Sequence, residues 1–431
     1  MNQWLNIYRA ATYPLGIAAD AIYGLAGSRL KDTAAWKQRM GDIHVQNRDA
    51  AHVDLWMHGA SVGEILVVQA IAEKLLDIQP DARLAVSAFT PAGLQRAREI
   101  FSSNIPVFAS PLDLPGPVCS ATKAIKPKIY CCVETELWPN LLHCLHSRGT
   151  RLILANARIS DRSFPSYRRL KFLFSPVLNM FQHICAVSEA SMQRLVDMGA
   201  DPERMEVTGN AKFEYLLNLP DELQAARMGQ DLGLPEDRPV IVAGSIRGTE
   251  YKAVIEAMSA LEARGRNRPF LVLAPRHIKR VDEIGQFLEQ KRIKFTLFSD
   301  AMKHEKALNG LDCMIVDKMG QLFNLYGLCH MAFVGGSLEP FGGQNLMEPA
   351  AWGRPVVFGQ NVANFQDAAN ALLNHGGGIM VKGTAELAQA MEKTIYQDKT
   401  ADEAGRRARQ ALKAISGGAA TLQAKRIASY L

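Results

Sequence analysis

The chain has 431 residues, 48% of them hydrophobic and 21% charged, with a formal net charge of +6. Those fractions exclude a disordered, collagen-like or polytopic membrane chain, and the length predicts two or three domains with full-sized cores. The surplus of 49 Lys and Arg over 43 Asp and Glu is too small to demand nucleic acid, but it fits an anionic partner if the charges cluster.

Residues 1–28 carry only Arg9 and Asp20 as charges, and Trp4, Leu5, Ile7, Tyr8, Tyr13 and Leu15 dominate the stretch. A membrane span needs roughly 20 apolar residues, and here Pro14, Gly16, Asp20, Gly24 and Gly27 interrupt the run. Basic residues follow at Arg29, Lys31, Lys37 and Arg39. Two readings stand: a segment lying on an anionic membrane surface, or a helix packed on its own domain.

Further along, short apolar strands alternate with helical runs. Residues 55–57 read as a strand and 65–78 as a helix. Residues 84–87 then read as a strand and 91–100 as a helix. Further strands are predicted at 129–133, 152–155 and 184–187. The alternation pauses at 216–238, which contains Pro220 and Pro235 and reads as a linker with a short helix. It restarts with strands at 240–243, 270–274, 313–316, 331–334 and 355–358. Helices are expected at 249–264 and 281–289. Such alternation predicts parallel sheets built from βαβ units. The expected organisation is an N-terminal segment (1–40), a first α/β domain (41–215), a linker (216–238) and a second α/β domain (239–431). The seven cysteines form no C-x-x-C pair, so they read as reduced, mostly buried thiols rather than a zinc or redox centre.

Four features carry chemistry. H-G-A-S-V-G-E (58–64) follows a strand and opens a helix, so Ser61 and Gly63 can approach a ligand closely. Glu64 is either a helix-capping acid or a general base. The motif matches neither G-x-G-x-x-G nor a P-loop. E-T-E-L-W-P-N (134–140) follows another strand, and Glu134 and Glu136 repel one another unless paired, which hints at purpose. A basic run holds Arg148, Arg151, Arg158, Arg162, Arg168, Arg169 and Lys171 against Asp161; it is either a solvated face or a grip for a phosphorylated or otherwise anionic membrane-bound substrate. The fourth feature is a set of clusters at predicted strand ends in the second half. They contain Arg276, His277, Gly335, Gly336, Ser337, Gly343, Asn345 and Glu348. Glycine-loop amides can cradle phosphate, Arg276 can pair with it, and Asn345 or Glu348 can hold ribose hydroxyls. A nucleotide-sugar glycosyltransferase, a nucleotide-dependent oxidoreductase or epimerase, and a membrane-associated binding protein are the three readings these residues allow.

W-M-H-G-A-S-V-G-E (56–64), V-E-T-E-L-W-P-N (133–140), N-A-R-I-S (156–160), G-N-A-K-F (209–213), A-P-R-H (274–277), F-V-G-G-S-L (333–338) and G-G-Q-N (342–345) resemble, in order and spacing, the 3-deoxy-D-manno-octulosonic acid (Kdo) transferases of lipopolysaccharide synthesis. The resemblance implies two Rossmann-like domains facing across a cleft, the glycosyltransferase-B (GT-B) fold. It implies inverting transfer of Kdo from CMP-Kdo to the lipid A precursor, lipid IVA, at the cytoplasmic face of the inner membrane, with no metal and no nucleic acid. The alternative is a related GT-B transferase or epimerase using a different nucleotide-activated sugar. By motif, Glu64 becomes the general base, with Glu134 and Glu136 as further catalytic acids. Ser61, Gly63, Arg276, His277, Gly335, Gly336, Ser337, Gly343, Asn345 and Glu348 become substrate-binding residues. The chain departs from the family pattern in three places. Gly244–Glu250 replaces S-T-H-x-G-E, Gln321 stands for a glutamate, and Gln344 stands for a histidine.

Overall fold

The computed structural model describes residues 3–26, 32–43, 53–101, 104–160, 163–303, 308, 310–397 and 400–431; for Ile17, 20–26, Asn218 and Thr400 only the backbone is described. Arg29, Lys31, Asp161 and Arg162 lie outside these residues.

The chain divides into two compact units, Met1–Tyr215 with Ser416–Leu431, and Leu216–Ile415. The first holds strands β1 (Leu55–Gly59), β2 (Leu84–Ala88), β3 (Val107–Ala109), β4 (Ile129–Val133), β5 (Arg151–Ala157), β6 (Phe181–Ala186) and β7 (Met205–Val207). They form one sheet in the order β3-β2-β1-β4-β5-β6-β7, and every pairing is parallel. Every residue of β1, β2 and β4 is buried, as expected of a parallel sheet covered on both faces. Helix Val62–Ile78 and the terminal helix Ala419–Ala428 pack in the core on one face. Leu5 of helix Gln3–Ala26 joins the core on the other, with Leu141, Leu142 and Val177.

The second unit repeats the plan with β8 (Val240–Ile246), β9 (Phe270–Pro275), β10 (Phe295–Leu297), β11 (Cys313–Ile315), β12 (Met331–Val334), β13 (Val356–Gly359) and β14 (Gly378–Val381). Their order is β10-β11-β9-β8-β12-β13-β14, again with every pairing parallel. The strands missed by sequence reading, β3, β7, β10 and β14, are short and lie at or next to sheet edges.

One expectation is corrected. The sequence pattern assigns residues 416–431 to the second domain, but they pack on the first unit. Gln423 is fully buried there; it accepts from the Asn156 amide at 3.1 Å and donates to Thr208 Oγ1 at 2.9 Å. Arg426 grips both oxygens of Glu206, at 2.9 and 2.7 Å.

In an open parallel sheet the loops at the point where strand order reverses form the ligand crevice. In the first sheet that point lies between β1 and β4, and in the second between β8 and β12. H-G-A-S-V-G-E and E-T-E follow β1 and β4; Gly244–Glu250 and Gly335–Leu338 follow or end β8 and β12. Three non-glycine residues near the carboxyl ends of β4, β5 and β8, Glu134 (φ 62°), Asn156 (φ 51°) and Ser245 (φ 55°), adopt left-handed backbone, a strain that collects at functional positions.

Candidate active site

β1 ends in Gly59, and the chain turns directly into helix Val62–Ile78. Ser61 is the N-cap, and its Oγ accepts from the Glu64 amide at 3.5 Å. In return the Glu64 carboxylate accepts the Ala60 N–H at 2.6 Å and the Ser61 O–H at 2.7 Å. This is a variant of the capping box, in which the acid three residues into the helix reaches back across its start. The capping role of Glu64 is therefore real, and it also fixes the carboxylate at the carboxyl end of β1. Burial, and then the charge of Glu134, push the Glu64 carboxyl up to about 7. A carboxylate poised there matches the requirement for a general base near neutral pH. Gly63 faces Lys212, whose Nζ would lie 3.4 Å from a Cβ at position 63. Lys212 was absent from the sequence-based site, although G-N-A-K-F contains it.

Glu136 sits beside this group. Its Oε2 accepts from Trp138 Nε1 at 2.7 Å, and burial raises its carboxyl, with the Glu134 charge adding to the rise. Both Glu134 and Glu136 lie close enough to Glu64 to raise it electrostatically. The structure thus gathers the three expected acids at one switch point. His58, on β1, is fully buried, and burial lowers its ring to about 4.

Asp113 binds the W-P-N turn to the N-terminal helix. Its carboxylate accepts from the amides of Asn140 (3.2 Å) and Leu141 (2.8 Å) and from Tyr8 Oη (3.0 Å). Asn140 Nδ2 donates to Thr12 Oγ1 at 3.0 Å. Burial raises the Asp113 carboxyl to about 6. Helix Gln3–Ala26 is therefore docked on its own unit, while Trp4, Ile7, Tyr13 and Leu15 remain exposed. The helix packs on its own domain and keeps an exposed apolar side. Among the described residues no helix is long and apolar enough to cross a membrane.

The basic run does not form one patch. Arg151 opens β5 and pairs in register with Ile129 at the start of β4, so it lies at the amino-terminal ends of the strands, away from Glu134. Its guanidinium donates to the Tyr430 carbonyl. Arg148 lies at the same end and donates to Cys119 Sγ at 3.5 Å. Arg168, Arg169 and Lys171, by contrast, lie exposed across the helices Phe164–Arg169 and Lys171–Leu178. The exposed Phe172 ring lies 4.7 Å from that of Trp4.

In the second unit the glycine loop after β12 holds a surprise. Glu250, buried in the first turn of helix Glu250–Ala263, accepts the amides of Arg247 (3.0 Å) and Gly336 (2.6 Å) on one oxygen. It accepts those of Ser337 and Leu338, both at 2.8 Å, on the other. The expectation that Gly336 and Ser337 amides cradle a donor phosphate is corrected: a protein carboxylate already holds them. Gly335 has no room for a side chain, because a Cβ would come within 2.8 Å of that same carboxylate. The Ser337 hydroxyl is also engaged, donating to the Val334 carbonyl and accepting from the Gly359 amide. Gly343 closes the loop by donating to the Gly336 carbonyl at 2.7 Å. Asn345 Nδ2 donates to Glu348 Oε1 at 3.1 Å. Burial lifts Glu348 to about 7 against the opposing pull of Asn345 and Arg276. Arg276 and His277 are exposed just after β9, so these two side chains are open to ligand, whereas Glu348 is largely buried and held by Asn345.

Among the described residues one group could hold a metal: His183, Cys185 and Glu206. Arg426 occupies both Glu206 oxygens and His183 Nε2 lies 3.1 Å from one of them, so this is a packed ion pair.

Solved structures of similar fold define the class. A UDP-GlcNAc 2-epimerase from Neisseria meningitidis aligns with TM-score 0.60 at 12% identity over 86% of this chain and 98% of its own. A glycosyltransferase from Rickettsia africae aligns at 0.58 and 15% identity over 88% and 98%. The fold is thus the two-domain α/β architecture of GT-B glycosyltransferases and sugar-nucleotide epimerases. Residues 34–215 match the family described as 3-deoxy-D-manno-octulosonic-acid transferase (kdotransferase). The 3-deoxy-D-manno-octulosonic acid transferase of Haemophilus influenzae is 31% identical over 349 residues, 81% of this chain and 80% of that protein. A bifunctional glycosyltransferase/methyltransferase of Fusobacterium nucleatum is 33% identical over 81% of this chain, which spans only 53% of that longer protein. The chain belongs to the Kdo transferase family.

Proposed function

We propose that this protein transfers Kdo from CMP-Kdo to the lipid A precursor, an acylated glucosamine disaccharide bisphosphate, with inversion at the anomeric carbon. Glu64 takes the proton of the attacking acceptor hydroxyl, the new glycosidic bond forms, and CMP leaves as a phosphate monoester. The observation that carries this reading is the Glu64 carboxylate. It is fixed by Ala60 and Ser61, raised to about 7, and placed at the carboxyl end of β1. Inverting displacement needs one base on the acceptor side, and Glu64 supplies it. Glu134 and Glu136 tune that base. Ser61 and Gly63 border the acceptor hydroxyl. On the donor side, Arg276 meets the phosphate and His277 lies beside it. Asn345 and Glu348 hold the sugar hydroxyls, and Gly335, Gly336, Ser337 and Gly343 shape the loop.

The acceptor is a lipid, and the exposed Trp4, Ile7, Leu15, Leu170 and Phe172 with Arg168, Arg169 and Lys171 form the face that meets the cytoplasmic side of the inner membrane. Aromatic and aliphatic side chains rimmed by cations suit an anionic interface. Incubation with CMP-Kdo and the lipid A precursor, followed by mass spectrometry, tests the transfer: the lipid gains the mass of Kdo. No gain with CMP-Kdo, but product from another nucleotide-sugar, would move the assignment to a different donor. Flotation with vesicles containing anionic lipid tests the surface, and equal recovery with neutral vesicles would remove it.

A further inference from the structure

A ring nitrogen, His58 Nε2, lies 4.0 Å from the Glu136 carboxylate, apart from the donor that Trp138 supplies. Trp56 Nε1 donates to Ser87 Oγ at 2.8 Å, and Ser87 Oγ lies 2.9 Å from His58 Nδ1. All three side chains are buried, with no exposed surface. The hydroxyl has one proton. With the tryptophan donating to its oxygen, its proton is best used on His58 Nδ1, which then acts as acceptor. The imidazole hydrogen must then sit on Nε2. That nitrogen is buried, has no hydrogen-bond partner among the described residues, and lies 4.0 Å from Glu136 Oε2. The opposite tautomer would leave the serine proton without this acceptor and turn a lone pair toward the carboxylate.

We propose that His58 is a positioning residue: Trp56 and Ser87 hold its ring neutral with the proton on Nε2, and this N–H steers the Glu136 carboxylate beside Glu64. At 4.0 Å the contact is too long for a hydrogen bond, and such contacts tighten when substrate closes the site. With Trp138 Nε1 already on the same oxygen, Glu136 then has two donors on one atom. Two donors on that atom hold the carboxylate in place and oppose the rise that burial imposes on it. The inference rests on the reading of Glu64 as base.

Gln and Asn separate the two ring nitrogens, because the Gln amide reaches the place of Nε2 and the Asn amide that of Nδ1. H58Q keeps a donor toward Glu136 and H58N does not. H58Q should retain kcat within about threefold, and H58N should lose about tenfold or more, with both KM values little changed. The pH profile supplies a readout that mere packing would not move. Glu136 is faced by His58 from β1, by Tyr130 and Cys132 from β4, by Glu64 from helix Val62–Ile78, by Tyr167 from helix Phe164–Arg169 and by Glu134 in its own loop. Without the His58 donor Glu136 takes up a proton more readily and ceases to repel Glu64, so the acid limb of kcat/KM moves to lower pH in H58N. Equal rates for H58N and H58Q, or an unmoved limb, overturn the proposal. If both variants unfold, S87T and S87A carry the same test: S87T keeps the hydroxyl and the rate, S87A loses rate, and equal rates overturn it. Nitrogen-15 NMR of the wild-type imidazoles, assigned by the signal lost in H58N, reads the tautomer with no substrate present. A proton on Nδ1 overturns the inference even where Kdo transfer succeeds, and failed transfer with the proton on Nε2 strikes only the functional reading.

Discussion

The two switch points use a buried carboxylate in opposite ways. Each unit sets a glutamate in the first turn of the helix that follows its central strand: Glu64 after β1 and Glu250 after β8. Glu250 receives four backbone N–H groups and shapes a loop. Glu64 receives one N–H and one O–H, has two further acids nearby, and is raised to about 7. The count of donors separates the two roles: a carboxylate with every lone pair engaged is architecture, and one left short of partners in an acidic neighbourhood remains available to take a proton.

The difference can be broken by mutation. E64Q should lower Kdo transfer by roughly three orders of magnitude, within the usual range for a lost general base, while the melting temperature shows the protein still folded. E250A should do the reverse. Four amides lose a buried partner, so urea unfolding should show a loss of about 3 kcal/mol or more, and the KM for the proposed donor, CMP-Kdo, should rise more than that for the acceptor.

A smaller effect sharpens the contrast through pH. The Glu64 carboxyl binds its proton more tightly folded than unfolded, so its contribution to stability falls as pH rises from about 4 to about 7. E64Q lacks that loss. It should therefore match the wild type in stability at pH 4 and exceed it by about 1–3 kcal/mol at pH 8 in chemical denaturation; a gain at pH 4 alone would contradict the assignment. The smallest expected effect concerns the basic run. R148E with R151E lies at the far edge of the sheet and should leave kcat unchanged, whereas R168E with R169E should weaken binding to anionic vesicles severalfold.

Much of this was legible in the sequence. Strands β4 and β12 and the helix after β1 follow from apolar runs with clear boundaries. The three acids of the first site follow from their places after β1 and β4. What escaped depends on partners distant in the chain. Glu250 meets Gly336 across 86 residues, and no local pattern says that a glycine loop will be filled by the protein's own carboxylate. Gln423 meets Asn156 across 267 residues, so the terminal helix looked like part of the nearer domain. The basic run misled because proximity along the chain does not say which end of a strand a residue occupies: Arg151 starts β5, and Arg158 follows its end. His58 stood inside a recognised motif, but its value lies in Ser87 and Trp56, which only the sheet brings beside it.

The most direct test of the central claim is the pH dependence of kcat/KM for Kdo transfer by the wild-type protein. The under-partnered Glu64 predicts a rate that rises with pH through an apparent pKa of about 7. A rate that is flat from pH 5 to pH 8, or a limb near the ordinary glutamate value, would contradict it.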